Sequence, residues 1–218
     1  MSRAQITTTA KSDPSSAKLV ATLSLAGLLS GIIIVLAFEA TLPTITEYKA
    51  RMLRQAVFKV LPGVTEMQRM VYRDGALTKS EQVQKDDQAI FGGFDQSGNL
   101  VGYAIPGAGP GFQDTISLLY GYLPSKRQVS GMEILASRET PGLGDKIYKD
   151  LSFVSSFETL SIDPEIKALK KGKRSSPNEI DAITGATISS KAVVRIINEA
   201  NQLWLPRLEQ ASKPGAER

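Results

Sequence analysis

Residues 181–190 read Asp-Ala-Ile-Thr-Gly-Ala-Thr-Ile-Ser-Ser and lead directly into a helical pattern. A glycine turn with several hydroxyls at a helix N-terminus favours a phosphate site, because unpaired amides and the helix dipole attract anions. Ser189 or Ser190 is placed to cap the helix start, so an ordinary capped helix is the alternative interpretation. Apolar residues at helical spacing define the buried face of the helix, namely Ala192, Val193, Ile196, Ile197, Ala200, Leu203 and Trp204.

A second segment carries a similar signal about forty residues earlier, where residues 137–147 read Ser-Arg-Glu-Thr-Pro-Gly-Leu-Gly-Asp-Lys-Ile. Pro141 and the glycines that follow it allow the backbone to approach a flat ring closely, and Leu143 offers an apolar face. Taken alone, the segment is equally typical of a surface turn. We call residues 139–144 the E-T-P-G-L-G loop and residues 184–187 the T-G-A-T segment.

The chain has 218 residues and a net charge of +4, with no cysteine and no histidine. The missing residue types exclude disulfides, thiolate nucleophiles, cysteine-ligated clusters and the serine–histidine–aspartate triad. They also remove the commonest ligands of transition metals, so we expect no metal site. Any chemistry must use carboxylates, hydroxyls, lysines or a bound cofactor.

The middle of the chain is predicted to form an α+β domain, a small antiparallel sheet flanked by helices. Its expected strands are Val71–Arg73, Ala89–Phe94, Leu100–Ile105 and Val129–Leu135. Residues 106–111, rich in glycine and proline, are expected to form a loop, and the polar residues 163–180 a basic connection. We predict that the domain spans residues 70–210 and that residues 211–218 form a disordered tail.

The N-terminal part is predicted to anchor the chain in a membrane. Residues 1–18 resemble a short polar cytoplasmic tail, and residues 19–38 carry no charge, enough to span roughly 30 Å as a helix. The expected transmembrane helix covers residues 19–40, and an amphipathic linker helix that ends near Pro62 falls in residues 41–69. A buried core helix and a cleaved signal peptide are the alternatives. Because basic residues lie on both sides of the predicted transmembrane helix, they give only a mild preference for a cytoplasmic N-terminus.

The pattern D-x-x-T-G-A-T, formed by Asp181, Thr184, Gly185, Ala186 and Thr187, resembles the flavinylation signature of the FMN-binding domain family. The E-T-P-G-L-G loop resembles a loop of the same family that lies against the flavin ring. Together with the basic tail, the anchor and the terminal helix, these segments resemble the G subunit of Rnf-type ion-translocating oxidoreductase complexes. The related C subunit of sodium-translocating NADH:quinone reductases shares both motifs, but it is typically longer and ranks second.

The resemblance implies that FMN is joined to the hydroxyl of Thr187 through a phosphoester and that the protein transfers electrons without a catalytic residue of its own. The other cofactor-binding residues implied are Asp181, Thr184, Gly185, Ala186, Glu139, Thr140, Leu143, Gly144 and Lys146. It further implies a single-pass protein of the bacterial inner membrane with a periplasmic domain. Its partners would be other membrane subunits, a flavin transferase and the lipid bilayer.

Two other classes of protein stay open at the level of sequence. One is a membrane-anchored assembly module that binds no flavin, and the other a secreted phosphate-binding protein released by signal cleavage. The basic residues Lys170–Arg174 form either a solvated loop or a contact with anionic lipid or an acidic partner protein. Nucleic acid is not expected as a partner, because no aromatic residues are interleaved with these charges.

Overall fold

The computed structural model describes residues 15–73, 75–80 and 88–211. Most of the predicted cytoplasmic tail and of the predicted disordered C-terminal tail lies outside these ranges, since residues 1–14 and 212–218 are not among them. The chain divides into two compact units, Met1–Lys49 and Ala50–Arg218.

The first unit contains most of α1, a helix that runs without interruption from Ser16 to Val60. In the described part of the chain, α1 is the one helix long and apolar enough to cross a membrane. Its apolar side chains from Leu19 to Phe38 are exposed, as the predicted anchor requires. The transmembrane and linker helices, predicted as separate segments in residues 19–40 and 41–69, form one continuous helix, because a proline inside a helix, here Pro43, removes one backbone hydrogen bond without necessarily ending it.

The second unit begins with the last turns of α1, which pack into its core. Ala56, Val57 and Val60 are buried, and Leu61 follows them into the same cluster. The helix ends where predicted, since Pro62 cannot donate a backbone hydrogen bond and Gly63 adopts a φ of +88°. The first strand then starts at Glu66, so the predicted boundary at residues 69 and 70 differs from the structure. Burial of Ala56, Val57, Val60 and Leu61 makes the end of the helix part of the domain.

Within the described residues, seven antiparallel strands form the main sheet in the order β2-β1-β3-β4-β5-β6-β7. The strands are β1 Glu66–Arg73, β2 Ala76–Lys79, β3 Ala89–Phe94, β4 Leu100–Pro110, β5 Thr115–Leu123, β6 Gln128–Ala136 and β7 Leu160–Ser161. The α+β class is therefore confirmed. The predicted loop at residues 106–111 is wrong, because β4 continues to Pro110 and pairs with β5 along that whole length.

Short helices and a small parallel sheet complete the second unit. They are α2 Lys146–Lys149, α3 Leu151–Ser155, β8 Lys167–Lys170, β9 Glu179–Ala182 and the long α4 Thr187–Ala211. The connection predicted for residues 163–180 thus contains β8 and the start of β9, which pair in parallel. Helix α4 passes through Pro206 and includes Ala211, one residue into the predicted tail.

Side chains of the sheet alternate between two cores, as the period of a strand requires. Along β5, Leu118 and Tyr120 face the cluster that contains α4, whereas Leu119 faces the cluster that contains the end of α1. Trp204 of α4 is buried at 3% exposure, which confirms its predicted place in the core. The sheet therefore lies between α4 and the last turns of α1, and the turn before α4 lies at one end of it.

Candidate functional site

The T-G-A-T segment forms the tight turn that joins β9 to α4. Gly185 adopts a φ of +83°, a conformation that favours glycine, and the amide of Ala186 donates to the carbonyl of Ile183 over 3.0 Å. Ser190 Oγ accepts from the Ile183 amide at 3.1 Å and donates to the Ala186 carbonyl at 2.9 Å. Ser190 thus stabilises the turn from a position inside the helix. The predicted N-cap role is wrong, because α4 already starts at Thr187.

The E-T-P-G-L-G loop is held in shape by Asp145, which follows it and is 2% exposed. Its Oδ1 accepts from the Gly142 amide at 2.8 Å, and its Oδ2 accepts from Lys149 Nζ at 2.6 Å. Lys149 first, and the Gly142 amide after it, lower the pKa of Asp145 against the opposing effect of burial. Gly142 itself has a φ of +79°. The loop is therefore a fixed turn that presents Leu143 outward.

Glu139, the first residue of the E-T-P-G-L-G loop, is buried and only 5% exposed. Its Oε1 accepts from the amides of Phe112 and Gln113 at 2.9 and 3.0 Å, and its Oε2 accepts from Ser189 Oγ at 2.5 Å. Burial opposes ionisation, but the hydrogen bonds from Ser189 and from backbone amides outweigh it, so the pKa of Glu139 lies below its ordinary value. Glu139 is thus an ionised carboxylate with donors on both oxygens.

Two glycines let the backbone approach this carboxylate. A Cβ at Gly144 would lie 2.5 Å from Glu139 Oε2 and 3.0 Å from Ser189 Oγ. A Cβ at Gly111 would overlap Glu139 Oε1. Because no side chain fits at either position, the loop, β4 and the start of α4 meet around Glu139 only with glycine present.

An apolar cleft of about 320 Å³ opens where the two segments meet. Six residues predicted for the cofactor line it, namely Thr140, Leu143, Gly144, Gly185, Ala186 and Thr187. Its walls include Phe112, Leu143 and Ile188, which are 64%, 51% and 57% exposed. Large apolar side chains this exposed around one cleft mark a ligand-binding or partner-binding surface. We call this the apolar cleft.

Thr187 is exposed in the apolar cleft and is the first residue of α4. The first amides of an α-helix lack intrahelical partners and carry a partial positive charge. The hydroxyl of Thr187 therefore stands at a position suited to a phosphate group, beside an apolar wall suited to a flat ring.

Three predicted cofactor residues lie elsewhere. Lys146, Asp181 and Thr184 line a second cleft, of about 390 Å³, together with Lys171, Arg174, Ser152 and Ser156. We call this the basic cleft. Of the ten predicted residues, the structure thus brings six into the apolar cleft, places three in the basic cleft and buries Glu139 beneath the first. Among the described residues no cluster of three or more acidic side chains is suited to a metal ion.

The prediction did not include Phe112, Ile188 or Ser189 as site residues. Phe112 directly follows the glycine- and proline-rich residues 106–111, and an aromatic residue at that position was a usable signal. Ile188 lies outside the apolar face of α4, and an apolar residue outside that face was a second usable signal. The sequence indicated only a helix cap at Ser189. Its hydrogen bond to Glu139 joins residues 50 positions apart, so no local pattern indicates it.

This region of the chain matches a known protein family. The FMN-binding domain family matches residues 111–202, which include both segments. The G subunit of an ion-translocating oxidoreductase complex from Methanosarcina acetivorans is 28% identical over 186 residues, which cover 84% of this chain and 91% of that one. The G subunit of the Na(+)-translocating ferredoxin:NAD(+) oxidoreductase complex from Acetobacterium woodii is 30% identical over 170 residues, covering 75% and 79%.

Solved structures share the fold at low sequence identity. NqrC from Shewanella oneidensis has a TM-score of 0.58 at 17% identity, covering 75% of this chain and 99% of that one. The C subunit of the Na(+)-translocating NADH-quinone reductase from Parabacteroides distasonis has a TM-score of 0.53 at 20% identity, covering 69% and 80%. By its sequence relatives, the chain belongs to the family of G subunits of ion-translocating oxidoreductase complexes.

Proposed function

We propose that the chain is an electron-transfer flavoprotein subunit of a membrane-bound ion-translocating oxidoreductase complex, with FMN joined by its phosphate to Oγ of Thr187. One observation carries this proposal. The exposed hydroxyl of Thr187 lies at the start of α4 and in the apolar cleft, inside the region that matches the FMN-binding domain family.

The residues of the apolar cleft suit the parts of FMN. The amides at the start of α4 would face the phosphate, and the side chains of Phe112, Leu143 and Ile188 would exclude water from the ring. Bound FMN supplies chemistry that this chain lacks, because a flavin accepts and returns one or two electrons. Glu139 keeps both walls in place through its bonds to Ser189 and to the amides beside Phe112.

A covalent bond through a hydroxyl agrees with the composition of the chain. The sequence contains no histidine and no cysteine, so flavin linkages through those side chains are impossible here. A tether also prevents loss of the cofactor outside the cytoplasm, where free FMN would be scarce, because it raises the effective concentration at the site.

Denaturing gel electrophoresis under ultraviolet light tests the attachment. The full chain, co-expressed with a flavin transferase, should give a fluorescent band, and Thr187→Val should abolish it. Thr184→Ser is the control and should keep the fluorescence, since it changes another exposed threonine of the same turn but leaves a hydroxyl at this position of the flavinylation signature. Fluorescence that survives Thr187→Val, or a wild-type band without fluorescence, would refute the proposal.

We further propose that α1 anchors the chain in the bacterial inner membrane beside the other subunits, with the second unit in the periplasm. Because the chain has no cysteine, one introduced thiol reports its own location. Ser97→Cys lies in the exposed turn between β3 and β4. A membrane-impermeant maleimide should label it in cells with a permeabilised outer membrane, and labelling only after lysis of the inner membrane would reverse the orientation.

A further inference from the structure

The geometry points to a second binding site, for a phosphate-bearing anion, in the basic cleft between α3 and β9. The cleft has a volume of about 390 Å³ and is lined by the cations Lys146, Lys171 and Arg174. It is distinct from the apolar cleft, because Thr187, Leu143 and Phe112 line only the latter. The site does not depend on flavin attachment.

The cations of the basic cleft are available to a ligand, whereas its carboxylates are engaged. In the described part of the chain, none of the three cations forms a salt bridge. Asp181 Oδ1 accepts from the Gly172 amide at 2.9 Å. Asp150 Oδ1 accepts from the amides of Ser152 and Phe153 at 3.0 and 3.2 Å. Since cations also outnumber carboxylates, the cleft favours an anion.

The loop that carries two of these cations is fixed by backbone hydrogen bonds. Besides the bond between Asp181 and Gly172, Glu179 Oε2 accepts from the amides of Ser175 and Ser176 at 2.8 and 3.1 Å. Gly172 adopts a φ of +77°, which sets the turn between Lys171 and Arg174. A loop whose backbone is held on both sides of the turn needs no backbone ordering when a ligand binds, so less entropy is lost.

The donors around the cleft match a phosphate group better than a single carboxylate. The hydroxyls of Ser152, Ser156 and Thr184 line the same space as the three cations. A phosphate offers several acceptor oxygens to such a set, and charge-assisted hydrogen bonds to lysine and arginine are the strong ones. Both a soluble phosphate compound and a lipid headgroup carry this chemistry.

Calorimetric titration with inorganic pyrophosphate tests the site on the full chain in nonionic detergent. The Thr187→Val background keeps the protein free of flavin, so failure here is separable from failure of the flavin proposal. The pair Lys171→Ala and Arg174→Ala should weaken binding at least about tenfold. The matched control, Lys170→Ala with Lys173→Ala, removes the same charge from the end of β8 and the loop that follows it, but from side chains outside the cleft, and should change affinity less than about threefold.

Further measurements decide the identity of the ligand. Arg174→Gln alone should weaken binding by several-fold, with unfolding followed by Trp204 fluorescence to show that the fold is intact. In lipid nanodiscs, an affinity for pyrophosphate that is the same with and without phosphatidylglycerol indicates a soluble phosphate. If phosphatidylglycerol instead competes with pyrophosphate, and the double variant of Lys171 and Arg174 abolishes this competition, the ligand is a lipid headgroup. Three outcomes would overturn the proposal. One is an equal loss of affinity in the Lys171 and Arg174 pair and in the Lys170 and Lys173 pair. The others are the absence of saturable binding to both pyrophosphate and phosphatidylglycerol, and binding of polyglutamate alone.

Discussion

Ser189 Oγ donates a 2.5 Å hydrogen bond to Oε2 of Glu139, which lies 50 positions earlier in the chain. The other oxygen of the same carboxylate accepts from the amides of Phe112 and Gln113. One buried side chain therefore holds three separate segments, which carry Phe112, Leu143 and Thr187 into the apolar cleft. The geometry of the cleft depends on a residue beneath it.

Replacing Glu139 with glutamine should destabilise the second unit by about 2 kcal/mol, because an amide nitrogen cannot accept from the donors that the carboxylate satisfies. Urea unfolding of the full chain in detergent measures this, with the single tryptophan, buried Trp204, as reporter. Flavin fluorescence on a denaturing gel should fall as well, since the walls of the cleft separate. Glu133→Gln is the control, because its exposed ion pair with Lys59 contributes less than about 1 kcal/mol. Equal effects of both changes would contradict the role of Glu139.

The same carboxylate gives a defined pH dependence. Because the pKa of Glu139 is lowered in the folded state, its contribution to stability is complete above the pKa of the unfolded chain, about 4.3. The contribution is lost as the pH falls below that value through the folded pKa. The difference in unfolding free energy between wild type and Glu139→Gln should therefore be constant near neutral pH and shrink below about 4.3. A difference that grows with acidification would refute the depressed pKa.

The fold was predictable from sequence where local pattern and tertiary context agree. The bounds of β3, Ala89–Phe94, match the prediction, and the apolar face of α4 is the buried one except at Leu203, which is 38% exposed. The end of β4 was mistaken for a loop because Gly107 and Gly109 are typical of turns. In the structure a Cβ at these positions would lie 2.7 and 2.9 Å from side-chain atoms of Ile196. Those glycines serve the packing of α4 on the sheet, a contact that composition does not reveal.

The candidate site divides in the same way. The T-G-A-T segment and the E-T-P-G-L-G loop are local patterns, so their residues could be named from sequence. Their division between two clefts depends on how the chain turns between β8 and α4, which no local pattern specifies. The support from Glu139 was likewise hidden, because a carboxylate in a turn looks like a surface residue until its partner at Ser189 is known.

Arg127 offers a test of backbone strain, since it has a φ of +49° in the turn between β5 and β6. It forms ion pairs with Asp163 and Glu209, but these are exposed and contribute at most about 1 kcal/mol each. Alanine loses the pairs and keeps the strain, whereas glycine relieves roughly 1 kcal/mol of it. Arg127→Gly should therefore unfold at higher urea than Arg127→Ala. At the neighbouring Lys126, which lacks a positive φ, alanine should be the more stable of the two. The same order at both positions would exclude strain at Arg127.

The end of α1 packs against glycines of the sheet. Substitutions of these glycines should lower the free energy of unfolding by different amounts. A Cβ at Gly121 would overlap the Val60 carbonyl oxygen, which already accepts from Ser130 Oγ at 2.6 Å. A Cβ at Gly131 would lie 3.3 Å from Val60 Cα, a contact that a small shift relieves. Gly121→Ala should therefore cost about 3 kcal/mol and Gly131→Ala about 1 kcal/mol in urea unfolding.

Limited trypsin digestion separates this local effect from a general loss of stability. If the methyl group at residue 121 displaces Val60, trypsin should cleave after Lys59 faster under native conditions. The peptide bond between Lys59 and Val60 would then no longer be packed against β5 and β6. Glu139→Gln is the control of comparable instability, and it should leave the rate of cleavage after Lys59 unchanged, since it acts at the other core. Equal acceleration in both variants would mean that the glycines only stabilise the fold. Selective acceleration in Gly121→Ala would establish that they hold the last turn of α1 on the sheet.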